Sequence, residues 1–286
     1  MNPSEKPKKR KLIEVPRLAA SKSFGKYKDE KEIPFRTPGL TRDCVLKQFI
    51  DTLMKVRGGR GKNFYDAFEY LYSDFLEAIK DIQYTAKDVE DFYVALEGIP
   101  EIEIGSKVGL FLSALVNNGK EENHVLKLGQ LGKKIDELCF HNIKNVTIKG
   151  NVGCGLGYMQ EGKIHVMGSC GDSLGCNMKG GTITIGKGPN TGIDGFGQGM
   201  CNGKIIIKGD VDGPVGENMQ GGTIIIFGSV GGSISSTFLP NSIVGHQMSG
   251  GEIHLFGKSN RTIDLVRNEC IAGGKIFNKG KLIVDK

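Results

Sequence analysis

From Val146 to Ile283 the chain repeats one pattern: a short aliphatic run ending in Gly, a polar glycine-rich stretch, then Met and another Gly. The runs begin at Val146, Ile164, Ile183, Ile205, Ile224, Ile253 and Ile276, in steps of 18, 19, 22, 19, 29 and 23 residues. A period near 20 built on strand-length segments makes a solenoid, because each unit can bury its apolar side only against its neighbours. Within a run the constant residues alternate as I-x-[IVL], as in Ile164 and Val166, Ile183 and Ile185, Ile205 and Ile207. Strand side chains alternate between two faces, so these aliphatics point inward and their neighbours outward. Coils stacked about 4.8 Å apart then align equivalent residues into ladders.

Glycine divides the chain. Of 43 glycines, 32 lie between Asn145 and Lys286, and only seven between Thr41 and Lys120. Charge divides it elsewhere. Residues 1–40 carry 11 Lys or Arg against five Asp or Glu, while the remainder carries 27 of each sign. The whole net charge of +6 therefore belongs to the first 40 residues. Three segments are expected: a flexible basic arm (1–40), a helical domain (41–120) and a repeat domain (121–286). The block Lys6, Lys8, Lys9, Arg10 and Lys11 reads as a weak nucleic-acid contact or an import signal, or else as a solvated tail. Seven cysteines, no signal-peptide pattern and no apolar run near the roughly 20 residues of a membrane helix point to a cytoplasmic protein with reduced thiols. A nuclear location fits a eukaryotic source.

The front half shows helical spacing. Val45, Leu46, Phe49, Ile50, Leu53 and Met54 define one apolar face, with Thr41 as its cap. A second helix runs over 63–82 with Phe64, Phe68, Leu71, Tyr72, Phe75, Leu76 and Ile79 on one side. A third starts at Thr85, and a fourth spans 106–116. Val125–Leu128 and Leu138–Phe140 are strand candidates of degraded first coils. The motif Arg57-Gly-Gly-Arg-Gly-Lys62 follows a helix and lacks the phosphate-loop spacing, so it reads as a linker, or else as an anion-binding loop through its amides and cations.

A second constant follows the polar stretch. Gly175-Cys-Asn-Met178, Gly216-Glu-Asn-Met219 and Gly245-His-Gln-Met248 share a frame, with Gly157-Tyr-Met159 and Gly197-Gln-Gly-Met200 as variants. The methionines fill a corner of the interior, and Asn177, Asn218 and Gln247 are placed to stack as an amide ladder. No catalytic, cofactor or metal site is assigned. Cys154, Cys170, Cys176 and Cys201 fall in successive loops but lack C-x2-C spacing. His165 and His254 share a register position several coils apart. His246 and Glu217 occupy equivalent positions on adjacent coils.

Two outward columns are apolar: Ile206 with Ile225, and Phe227 with Phe256. Such rows call for a cover, either the helical segment, a partner subunit or a second copy. His165, Thr184 and Lys208 on the same face support the plainer reading of a mixed surface.

Gly153-Cys-Gly-Leu-Gly157 and Gly195-Phe-Gly-Gln-Gly199 are literal G-x-G-x-G. On these motifs, residues 145 to about 275 resemble the GXGXG β-helix family. That family includes the C-terminal domain of the glutamate synthase large subunit and the β-helical subunit of formylmethanofuran dehydrogenase. The resemblance implies a right-handed parallel β-helix that scaffolds an oxidoreductase complex and holds no catalytic residues itself. Residue 2 is Asn where a glutamine amidotransferase has its nucleophilic Cys, and no flavin barrel or iron–sulfur spacing is present. An enzyme or ligand-binding protein, with a pocket between helices and β-helix, is the alternative; an adaptor tethered to nucleic acid by the arm is another.

Overall fold

Four phenylalanines, one from each of four helices, meet in the front half of the chain. The computed structural model describes residues 42–55, 64–96, 105–128, 134–187, 195–231, 244–257 and 266–286. The basic arm, Thr41, the Arg57–Lys62 linker and the insertion at 233–242 lie outside them. The helices are α1 (Arg42–Lys55), α2 (Phe64–Ile79), α3 (Ala86–Ala95) and α4 (Ser106–Asn118). Phe49, Phe75, Phe92 and Phe111 are each fully buried. Phe111 lies 4.9, 5.0 and 5.1 Å from the other three ring centroids, within the range where aromatic pairs add to burial. Thr85 caps α3 in a reciprocal capping box with Asp88, satisfying two otherwise orphaned amides.

α4 differs from the others. Every residue from Val108 to Val116 is buried. A helix apolar all round must be covered on all sides. One side meets the phenylalanine cluster, and the other lies on the first coil. A Cβ on Gly109 would overlap the Asp136 carbonyl oxygen, so only glycine lets the helix approach this closely. Ser113 Oγ accepts from Phe140 N at 3.0 Å, and Asn117 Nδ2 donates to the Phe140 and His141 carbonyls at 3.1 and 3.2 Å.

The rest is a parallel β-solenoid. Its main sheet is ordered β1 (Asn123–Lys127), β2 (Asn145–Lys149), β3 (Lys163–Val166), β4 (Thr182–Ile185), β5 (Lys204–Ile207), β7 (Thr223–Ile226), β9 (Ser249–Leu255), β10 (Gly273–Asn278) and β11 (Lys281–Asp285). Short strands β6 (Val211–Asp212) and β8 (Val230–Gly231) form a second, parallel pair. Ile183 pairs with Ile205, and Ile205 with Ile224, so the predicted interior column exists. A second column runs through Leu138, Leu156, Leu174, Phe196, Val215 and Val244, linked by successive amide-to-carbonyl bonds. Helices and solenoid share one hydrophobic core. β11 reverses direction and pairs antiparallel with β10.

Several expectations need correction. Leu138–Phe140 is a buried turn, with Glu137, Cys139 and His141 at positive φ, and not a strand. It is the first copy of the solenoid corner. Met178, Met200, Met219 and Met248 do form the interior corner column, but Met159 does not join it. Met159 takes the positive-φ position that Asn177 occupies on the next coil, and buried Gln160 stands in the methionine register. Gly199 separates Asn177 from Asn218 in that row, so the three amides make no continuous ladder. The helices do not cover the outward apolar columns. Tyr65 and Tyr72 of α2 pack on Tyr158 and Phe140 of the first two corners, while Phe227 and Phe256 stay 52% and 40% exposed. Among the described residues, no helix is long and apolar enough to cross a membrane.

Candidate functional site

The seam where α2 meets the first two corners gathers polar and aromatic side chains from both. Tyr65, Glu69 and Tyr72 lie four and three residues apart, so one face of α2 presents them together. Tyr65 stacks on Tyr158 at 4.7 Å, and Tyr158 stacks on Phe140 at 5.0 Å. Tyr72 stacks against His141 at 5.8 Å and receives an Asn117 Nδ2 hydrogen bond at 2.6 Å. His141 Nε2 lies 2.7 Å from Glu69 Oε1. With Glu69 ionised, Nε2 is the donor in this contact. Burial raises the Tyr72 and Tyr158 hydroxyls above their ordinary range, opposed by hydrogen bonds from Asn117 and Asn177.

A second cluster lies beside α4. Asp136 Oδ1 accepts from Cys154 N at 2.8 Å. The neighbouring Glu137 is buried, its carboxylate set against Gly155, and Oε2 has no hydrogen-bond partner. Burial, and then the charge on Asp136, push its carboxyl up to about 7. His124 occupies the inward column of β1 where later coils carry Val146 and Ile164. Burial lowers its pKa, and its Nε2 pairs with the Glu121 carbonyl at 3.1 Å.

The sequence candidates do not converge. Cys154, Cys170, Cys176 and Cys201 belong to four different register columns, and no group of three potential ligands holds a metal among the described residues. His165 and His254 lie on β3 and β9, four strand steps or about 19 Å apart. Glu217 accepts from Gln198 Nε2 at 3.5 Å and is not paired with His246. Sequence reasoning missed the seam, although the four- and three-residue spacing on α2 was a readable signal.

Thiol chemistry should follow burial. Cys139, Cys170 and Cys176 are buried, and burial pushes the Cys170 thiol up to about 12 and Cys139 upward as well. Since the thiolate is the nucleophile, a maleimide added to native protein is expected to modify exposed Cys201 and Cys154. Peptide mapping that found Cys139, Cys170 or Cys176 labelled as fast would contradict this packing.

The fold and seam define a helix-capped parallel β-solenoid. No family model, curated protein or solved structure matches this chain. The two G-x-G-x-G motifs are offset by two residues in the solenoid frame. Gly157 and Gly197 share a position, whereas Gly153 and Gly199 lie on opposite sides of it.

Proposed function

We propose that this chain is a non-catalytic scaffold subunit that seats another polypeptide of an oxidoreductase-type complex on its outward sheet face. The observation that supports the reading is the Phe227–Phe256 pair. These rings stack at 5.4 Å on a sheet whose backbone is already paired, yet both stay open to solvent. Ile206 and Ile225 extend the apolar row alongside them. Isolated exposed apolar residues are ordinary, but aligned aromatic and aliphatic columns make a docking surface. The resemblance to the GXGXG family supplies the class of complex.

The test is purification of the tagged chain from its native cell. Wild type is expected to retain a stoichiometric partner. F227S/F256S should lose it, with affinity down by about 30-fold for each ring removed, since buried interface aromatics contribute about 2 kcal/mol each. Unchanged retention by the double variant would remove the reading.

The seam supports a second reading, a ligand site between α2 and the corner, because the His141–Glu69 pair stands beside stacked tyrosines. H141A would then abolish binding of a co-purifying small molecule while leaving partner retention intact.

A further inference from the structure

We infer that the outward sheet face is occupied by helix α2 of a second copy of this chain. The inference rests on the docking role proposed above and names the occupant.

Charge on this face is strongly sorted. On the eight parallel strands, Glu252 is the one acidic residue at an outward position, and it pairs with His254 at 3.1 Å. Lys127 is bound by Glu90 of α3 at 2.6 Å, and Lys275 stands opposite Asp285 of β11. Lys149, Lys163, Lys204, Lys208, Lys275 and Lys279 form no ion pair among the described residues. The apolar columns therefore lie within a lysine field on a body whose charge otherwise balances.

α2 carries the complement. Its 16 residues include Asp66, Glu69, Asp74 and Glu77 and no Lys or Arg. Tyr70 is 53% exposed, and Ser73 and Glu77 beside it are exposed too. Residues 66, 70, 73, 74 and 77 share one helical face, an aromatic ring among carboxylates. Glu77 pairs with Lys80 on the open surface, a contact worth little against a lysine field. The lengths agree. Sixteen helical residues span about 24 Å, and the five steps from β3 to β10 also span about 24 Å.

The helix cannot reach its own sheet face at Phe227. Tyr65, Glu69 and Tyr72 hold α2 on the first two corners, several coils from β7. A nucleic acid fits less well. Bases need free aromatic faces, but Phe227 stacks on Phe256 and His254 on Phe277, with interplanar angles of 18° and 2°. These ladders turn ring edges outward, the geometry for edge-to-face contact with Tyr70. Helix-on-sheet contact joins two different patches, so it builds a two-fold pair or a longer array.

Light scattering on the full chain tests this. At low salt the wild type should run at twice 31.0 kDa or more, falling towards 31.0 kDa at about 0.5 M NaCl. K204E/K208E and D74K/E77K should each associate at least about tenfold more weakly, with unchanged thermal midpoints. Mixing the two variants should restore a two-chain species, because one keeps a native helix and the other a native sheet. Combining all four substitutions in one chain should restore self-association. A wild type that stays at 31.0 kDa throughout overturns the inference, as does a monomer whose Lys204 and Lys208 face binds oligo-dT. If the protein is monomeric yet F227S/F256S still releases a different co-purifying chain, this inference fails and the scaffold reading stands.

Discussion

Gly109→Ala should destabilise the protein by about 3 kcal/mol, even though alanine normally stabilises a helix interior by up to about 1 kcal/mol over glycine. The sign reverses because α4 lies directly on the first corner. The added methyl would overlap the Asp136 carbonyl oxygen, and the next nearest atoms are backbone too, the carbonyl carbons of Asp136 and Glu137. Backbone cannot swing away as a flexible side chain can. Relief requires moving α4, which strains the Ser113 and Asn117 bonds to Phe140 and His141. Urea unfolding measures the loss as a lower midpoint at constant slope. A variant as stable as wild type would mean that α4 does not rest on residues 136–137. F227S, on the open sheet face, should change stability by no more than about 0.5 kcal/mol.

Glu137→Gln should change how stability depends on pH. In the folded chain the Glu137 carboxyl is pushed up to about 7 from an ordinary value of 4.5, by burial and then by Asp136. The fold therefore holds a proton that the unfolded chain has released between those two values. Wild-type stability should fall as pH rises through that window and level off above it. Full expression of the shift corresponds to about 3 kcal/mol. The amide cannot ionise, so E137Q should match wild type near pH 4.5 and exceed it by up to about 3 kcal/mol at pH 8. Paired urea curves at the two pH values isolate this group, because other carboxylates contribute equally to both proteins. Parallel pH profiles would show that Glu137 ionises freely in the fold.

The solenoid was legible because its rule is local. An aliphatic at every second position of each run is enough to predict that Ile183, Ile205 and Ile224 stack. The helices were legible for the same reason, their apolar spacing matching α2, α3 and α4 within a few residues. The second interior column is equally local in the sequence. An apolar residue precedes each corner glycine, in Leu156-Gly157, Leu174-Gly175, Phe196-Gly197, Val215-Gly216 and Val244-Gly245. The corner at Leu138–Phe140 escaped because Cys139 stands where later coils have glycine, at φ +60°. Met159 stands two residues after its corner glycine where the other methionines stand three, and the amide ladder accordingly puts Gln160 in the methionine column. The seam depends on Tyr65 meeting Tyr158, a contact between residues far apart in the chain. No single-segment pattern encodes such a meeting.

The reversed strand β11 has a consequence for growth of the body. Parallel stacking proceeds by copying one hydrogen-bond direction, and a strand running the other way cannot template the next copy. The number of rungs between α4 and the hairpin is thus a fixed ruler length. Duplicating one internal rung, such as residues 204–222, would lengthen the ruler by about 4.8 Å and leave both stops intact.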